Sequence, residues 1–142
     1  MPNLDLKQIP LFHNLSSDEI ALVKSFLVEV KYNQDDLIFS KGKIRDRVII
    51  IHEGLVVLEA ELKGPKTIAM FKAGDSLGEM ALIEKGSQHL YDLKVVSPHF
   101  SGCELSSYSW HSIVKKSPKT AEKIYQNIAR NLKNRLTHAN NK

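Results

Sequence analysis

Apolar and polar positions along the chain change period twice. Ile20, Val23 and Leu27, with Ala21 beside them, recur at the three- and four-residue spacing of a helix. Ser16-Ser17-Asp18-Glu19 opens it, because a Ser followed three residues later by a Glu forms a capping box. Leu15 ahead of the cap supplies part of a hydrophobic staple. The spacing predicts a helix over 17–26, preceded by an apolar segment in which Pro10 limits any helix. From Leu27 to about Leu105 the helical period gives way to short β-branched runs. These are Leu27–Tyr32, Asp36–Phe39, Val48–His52, Leu55–Leu58, Thr67–Phe71, Leu90–Val96 and Phe100–Leu105. Glycines 42, 54, 64, 74, 86 and 102 punctuate them, as in a compact all-β roll or barrel. His52-Glu53-Gly54-Leu55 and Lys63-Gly64-Pro65-Lys66 read as tight hairpin turns, and Asp35-Asp36 and Lys41-Gly42-Lys43 as two further corners.

The helical period then returns. Ser109 is the predicted cap for a helix over Trp110–Lys116, and Ser117-Pro118 starts another, with Pro at its first position. Ala121, Ile124, Tyr125, Ile128, Ala129, Leu132 and Leu136 form a continuous apolar stripe on a helix of about twenty residues. His138 to Lys142 are expected to fray. The chain therefore divides into N-terminal helical residues 1–26, a β-roll over 27–107 and C-terminal helices over 108–137, all in one domain.

Bulk numbers narrow this picture without changing it. A length of 142 residues and a 42% apolar fraction suit a single packed domain. No apolar run approaches the roughly 18 residues of a membrane span. The N-terminus lacks a basic segment followed by an apolar core, so no secretory signal is expected. Cys103 is the only cysteine, which excludes an intrachain disulfide and fits a reducing cytoplasm. The net charge of +4 is uneven: residues 115–142 carry +7 and the first 114 carry −3. A basic tail suits either a solvated helix face or an acidic partner.

The stretch richest in chemistry is Phe71–His89, FKAGDSLGEMALIEKGSQH. Gly74 marks a turn, and Gly78 precedes Glu79 and a short apolar run, Met80 to Ile83. A glycine before a helical turn lets a ligand approach the backbone and leaves N–H groups free for an anion. Glu79 in that place repels phosphate but accepts hydrogen bonds from hydroxyls, such as those of a sugar. Together they suggest a ligand with both phosphate and ribose. The plainer reading makes Gly74 and Gly78 turn residues and Glu79 a solvated acid.

With its order of helix, glycine-punctuated roll and two helices, the chain resembles the cyclic nucleotide-binding domain of catabolite activators and of the protein kinase A regulatory subunit. Ile9-Pro10-Leu11-Phe12 with Leu15–Ile20 resembles the family's opening, and Asp36–Gly42 with Asp46–Gly54 its first hairpins. Gly74–Leu82 resembles the first half of the phosphate-binding cassette, and Pro118–Leu136 the long C-terminal helix. The resemblance implies a mainly β fold, a double-stranded β-helix (a jelly-roll-like β-roll) with flanking helices. It implies cAMP or cGMP as ligand and no other cofactor. Glu79 would accept from the ribose 2′-hydroxyl, the N–H groups of Met80 and Ala81 would hold the cyclic phosphate, and Gly78 would allow close approach. Members of the family place an Arg later in the cassette; that position falls here on Gln88, followed by His89. Gln lacks the charged fork of Arg, and losing such a contact costs on the order of 2–4 kcal/mol, roughly thirty- to a thousandfold in affinity. Lys85 or His89 offers partial compensation.

Two alternatives stay open beside a nucleotide sensor: a ligand-free copy that lends its helices to a protein partner, and a domain for another ligand. Tyr125, Ile128, Leu132 and Leu136 either pack on the roll or pair with the same helix of a second subunit. No helix-turn-helix follows the long helix in these residues, so DNA reading by that module is not expected. An enzyme is disfavoured: histidines 13, 52, 89, 99, 111 and 138 include no His-x-His pair for a metal, and no nucleophile motif is present.

Overall fold

A computed structural model describes residues 4–61 and 64–140, and their side chains apart from 61, 65, 66 and 136–140. Two 3₁₀ turns, Leu6–Gln8 and Pro10–Phe12, lead into helix α1, Ser17–Lys24. The capping box forms as the sequence predicts: Ser16 Oγ accepts from Glu19 N at 3.2 Å, and Glu19 Oε1 accepts from Ser16 N at 2.9 Å. Eight strands follow: β1 Val28–Asn33, β2 Leu37–Phe39, β3 Arg47–Glu53, β4 Val56–Glu61, β5 Pro65–Phe71, β6 Ser76–Leu77, β7 Asp92–Val95 and β8 His99–Ser106. Helices α2, Ser107–Lys116, and α3, Pro118–Asn140, close the chain.

The strands form two antiparallel four-stranded sheets, in the orders β1-β8-β3-β6 and β2-β7-β4-β5. Successive strands alternate between the sheets except at the β4–β5 hairpin, which is the double-stranded β-helix expected from the sequence. Seven strands coincide with the seven apolar runs. The eighth, β6, lies between the turn at Gly74 and Gly78, where two residues are too short for a period to register.

One turn reading and one cap reading need correction. Gly54 does not close a hairpin: β3 and β4 lie in different sheets, and the chain crosses between them there. Its φ of +122° and a virtual Cβ only 2.9 Å from His99 O explain why the crossing uses glycine. The cap of α2 is Ser106, three residues before the predicted one; its hydroxyl accepts from Ser109 N at 3.0 Å. Ser117 behaves as predicted, accepting from Thr120 N at 3.3 Å.

The four apolar residues of β3 are all fully buried, and they alternate between two cores. Val48 and Ile50 face the helices, packing with Leu11, Phe12, Val23, Leu105, Trp110, Ile113, Ile124 and Ile128. Ile49 and Ile51 face the second sheet, packing with Phe39, Val56, Leu77, Val95 and Phe100. Helix α3 is tied to the N-terminus twice. Buried Asn127 donates from Nδ2 to Leu11 O (2.9 Å) and His13 O (2.8 Å). Glu19 accepts from Lys123 Nζ at 2.6 Å and from Thr120 Oγ1 at 3.0 Å.

Candidate functional site

The core between the sheets is not filled to its end. A cavity of about 170 Å³ opens there, walled by β-roll residues and by Ile128, Asn131, Leu132 and Arg135 of α3. Phe39, Phe71, Leu77 and Leu93 give it apolar walls, and Arg45, Ser76, Glu79 and His89 give it polar groups.

Gly78 turns the chain from β6 into a 3₁₀ turn over Glu79–Leu82. Its φ is +80°, and a virtual Cβ would lie 2.9 Å from the Phe39 ring, so both conformation and space demand glycine. The turn points the Glu79 side chain into the cavity, where it is 12% exposed. Glu79 Oε1 accepts from Ser76 Oγ at 2.5 Å and pairs with Arg135 Nη2 of α3 at 3.5 Å. Both neighbours use Oε1, and Oε2 has no partner among the described residues. The sequence reading left two amides free here. Ala81 N–H instead closes the turn onto Gly78 O at 3.0 Å. Of those two, Met80 N–H has no turn or loop backbone partner among the described residues.

Residues 42–45 and 87–89 run as a short antiparallel pair. Gly42 N donates to His89 O, His89 N to Lys43 O, and Arg45 N to Ser87 O, each at 2.8 Å, with Ile44 bridged to Gln88. Side chains therefore alternate. Gln88 and Ile44 face outward and are exposed, and Gln88 is not part of the cavity wall. Its assignment to the site fails because a count along the chain does not carry the parity of a strand pair. His89 and Arg45, on the opposite face, do line the cavity.

His89 is 6% exposed and stacks on Phe39, centroids 4.3 Å apart. Burial, with Arg45 and Arg47 nearby, holds its pKa below the ordinary value, so the ring is neutral at pH 7. Its Nε2 is buried without a partner. Arg47 is locked in place by Asp46 (2.9 Å), Glu104 (3.3 Å) and Ile38 O (3.0 Å), and covers the Phe39 ring.

The predicted helix stripe splits. Ile128 is buried in the helix-side core, unavailable to a second subunit in this arrangement. Tyr125 is half-exposed, its hydroxyl accepting from Trp110 Nε1 at 3.3 Å. Leu132, also half-exposed, borders the cavity. The side chain of Leu136 lies outside the described residues. Arg45, Ser76 and Arg135 were not singled out by sequence reasoning. Pairing the KGKIR segment with SQHL gives the parity that exposes Arg45; for Arg135, 56 positions from Glu79, no local signal exists.

Comparison with known proteins agrees with this geometry. The family model described as "Cyclic nucleotide-binding domain" matches residues 29–116. The Cyclic AMP receptor protein of Thermus thermophilus is 26% identical over 130 residues, which cover 90% of this chain and 59% of that protein. The crystal structure of a Thermus thermophilus catabolite activator protein superposes with a TM-score of 0.75 at 26% identity, covering 92% of this chain and 60% of the other. A cGMP-dependent protein kinase of Drosophila melanogaster is 32% identical over 80 residues, 54% of this chain and 9% of the kinase. A cyclic nucleotide-binding domain from Methylobacillus flagellatus shares the fold at a TM-score of 0.81 and 24% identity, covering 93% of this chain and 74% of that one. The chain thus spans less than two thirds of the curated relatives it matches. Among the described residues no helix is long and apolar enough to cross a membrane, and no group of three or more His, Cys, Asp or Glu is placed to hold a metal.

Proposed function

The chain belongs to the cyclic nucleotide-binding domain family, and from that premise we propose that it is a non-catalytic regulatory module taking cAMP or cGMP in the cavity between its sheets. The observation that carries this reading is Glu79: a carboxylate in a largely apolar cavity, beside a glycine turn, with Oε2 unpaired. With Oε1 held by Ser76 and Arg135, Oε2 remains to accept a further hydrogen bond, and a ribose 2′-hydroxyl is a donor of the right kind. Met80 N–H supplies an amide for the phosphate, and Phe39, Phe71 and Leu132 supply apolar surface for the nucleoside. The named activities of the relatives, a cyclic AMP receptor and a cGMP-dependent kinase, support the same class of ligand.

Output runs through α3. Arg135 and Leu132 of that helix border the site, so a ligand that takes Glu79 displaces Arg135 and changes what α3 presents to a protein partner or to a second copy. A second reading is favoured by the uncharged, outward-facing Gln88: a roll that no longer takes cyclic nucleotides and serves as a protein-interaction module or binds another ligand.

Calorimetric titration with cAMP and then cGMP separates the two. The sensor reading expects micromolar binding that Glu79→Ala weakens at least tenfold, with slower hydrogen exchange over residues 109–136 in the complex. Absence of heat at millimolar ligand shifts the assignment to the second reading.

A further inference from the structure

An anionic phosphodiester in this cavity needs a cation whose donors face it unpaired. Three arginines lie around the site, and two are committed. Arg47 is held by Asp46, Glu104 and Ile38 O, and does not line the cavity. Arg135 is paired with Glu79 and is half-exposed on α3. Arg45 differs. It lies in the segment joining β2 to β3, on the cavity face of the short pair with residues 87–89. Its Nε donates to Gln88 O at 3.3 Å, and its two terminal nitrogens have no partner among the described residues. No acidic side chain pairs with it there. Beside it on the same wall stands His89, with Nε2 buried and unpartnered.

We propose that Arg45 is the phosphate-binding cation of this site, its free guanidinium fork gripping the cyclic phosphate across the cavity from Glu79, with His89 as a second donor next to it. The bond from Nε to Gln88 O then has a purpose: it orients the fork, so the exposed position 88 contributes through its backbone and not its side chain. The tether also differs in kind from a cation on the segment that carries Glu79. Phosphate and ribose would be held by two separate parts of the chain, the β2–β3 segment and the turn after β6, and ligand would staple them together. A planar fork suits a phosphate better than an ammonium, which predicts that Lys at 45 is only a partial substitute.

This inference rests on the proposed function, and the test separates their failures. Wild-type chain, Arg45→Gln, Arg45→Lys and Lys133→Gln, a charge control on the exposed face of α3, are titrated with cAMP, cGMP and adenosine by calorimetry. Arg45→Gln is expected to weaken the cyclic nucleotide roughly thirty- to a thousandfold, with adenosine unchanged within about threefold. Arg45→Lys should fall between, and Lys133→Gln within about twofold of wild type. Thermal melting checks that each variant folds; should Arg45→Gln fail to, Arg45→Lys carries the reading. Wild-type binding that Arg45→Gln leaves within about threefold overturns the Arg45 assignment and spares the proposed function. A wild type that takes no nucleotide overturns the proposed function. In that case NMR titration with inorganic phosphate decides for Arg45: a saturable shift of its Nε–H resonance supports the assignment, and none overturns it.

Discussion

Strand β3 separates two cores that are closed in different ways. On the helix side, Val48 and Ile50 meet side chains from both 3₁₀ turns, α1, α2 and α3, and the space is filled. On the sheet side, Ile49 and Ile51 meet a smaller set of residues, and that core ends in a cavity with a carboxylate, an unpartnered imidazole nitrogen and an arginine fork in its wall. The same four-residue apolar run serves both. The difference teaches that burial of a strand says little about what its faces do. The filled face packs α3 onto the roll; the unfilled face leaves His89 Nε2 in its wall without a partner.

Substitutions on the two faces should break this symmetry. The largest effect is expected for Ile50→Ala, which opens a hole in the filled core. It should lower stability by about 3–4 kcal/mol in urea denaturation, while nucleotide affinity of the folded fraction stays within about threefold. Phe39→Leu is the counterpart on the other face. Its ring lies under Arg47, stacks on His89 and borders a space that already exists. A stability loss of only about 1–2 kcal/mol is expected there, with a ligand affinity loss of tenfold or more by calorimetry. Equal losses of stability together with equal losses of binding would sink the distinction between the faces.

The smallest effect sharpens the comparison by titration. Lys123, the Ser16 amide and Thr120 hold the Glu19 carboxyl at about 2, below its ordinary 4.5. Because the folded value is the lower one, this contribution is complete above about pH 5 and fades as pH falls toward 2. Glu19→Gln should therefore cost on the order of 1 kcal/mol at pH 7, with the gap to wild type narrowing from about pH 5 and closing only as pH falls below about 2 in denaturation curves. Ligand affinity at pH 7 should not move, since Glu19 belongs to the filled side.

Much of the architecture was legible before any coordinates. The capping box at Ser16 and Glu19, the Ser117-Pro118 start and seven strands follow from local chemistry and period. The β6 strand was invisible because its two residues gain strand geometry only by pairing with Ile49 and Ile50. The turn at Gly54 misled for a related reason. A glycine with positive φ marks a change of direction, but whether the next strand pairs back or crosses to another sheet depends on partners far along the chain. Part of the candidate site was legible too: Gly78, Glu79, Met80 and His89 line the cavity, while Ala81 does not and Gln88 faces out.

By itself, then, the sequence determined the roll with its flanking helices and the glycine–glutamate turn, because each rests on neighbours within a few residues. Tertiary structure alone decided which faces those residues turn to. Pairing of 42–45 with 87–89 set the parity that sends Gln88 outward and brings Arg45 and His89 inward. The packing of α3 buried Ile128 and set Arg135 against Glu79, 56 residues away in the chain. Such contacts join groups remote in sequence, and neither period nor motif encodes them; they exist only once two sheets and a helix share one cavity.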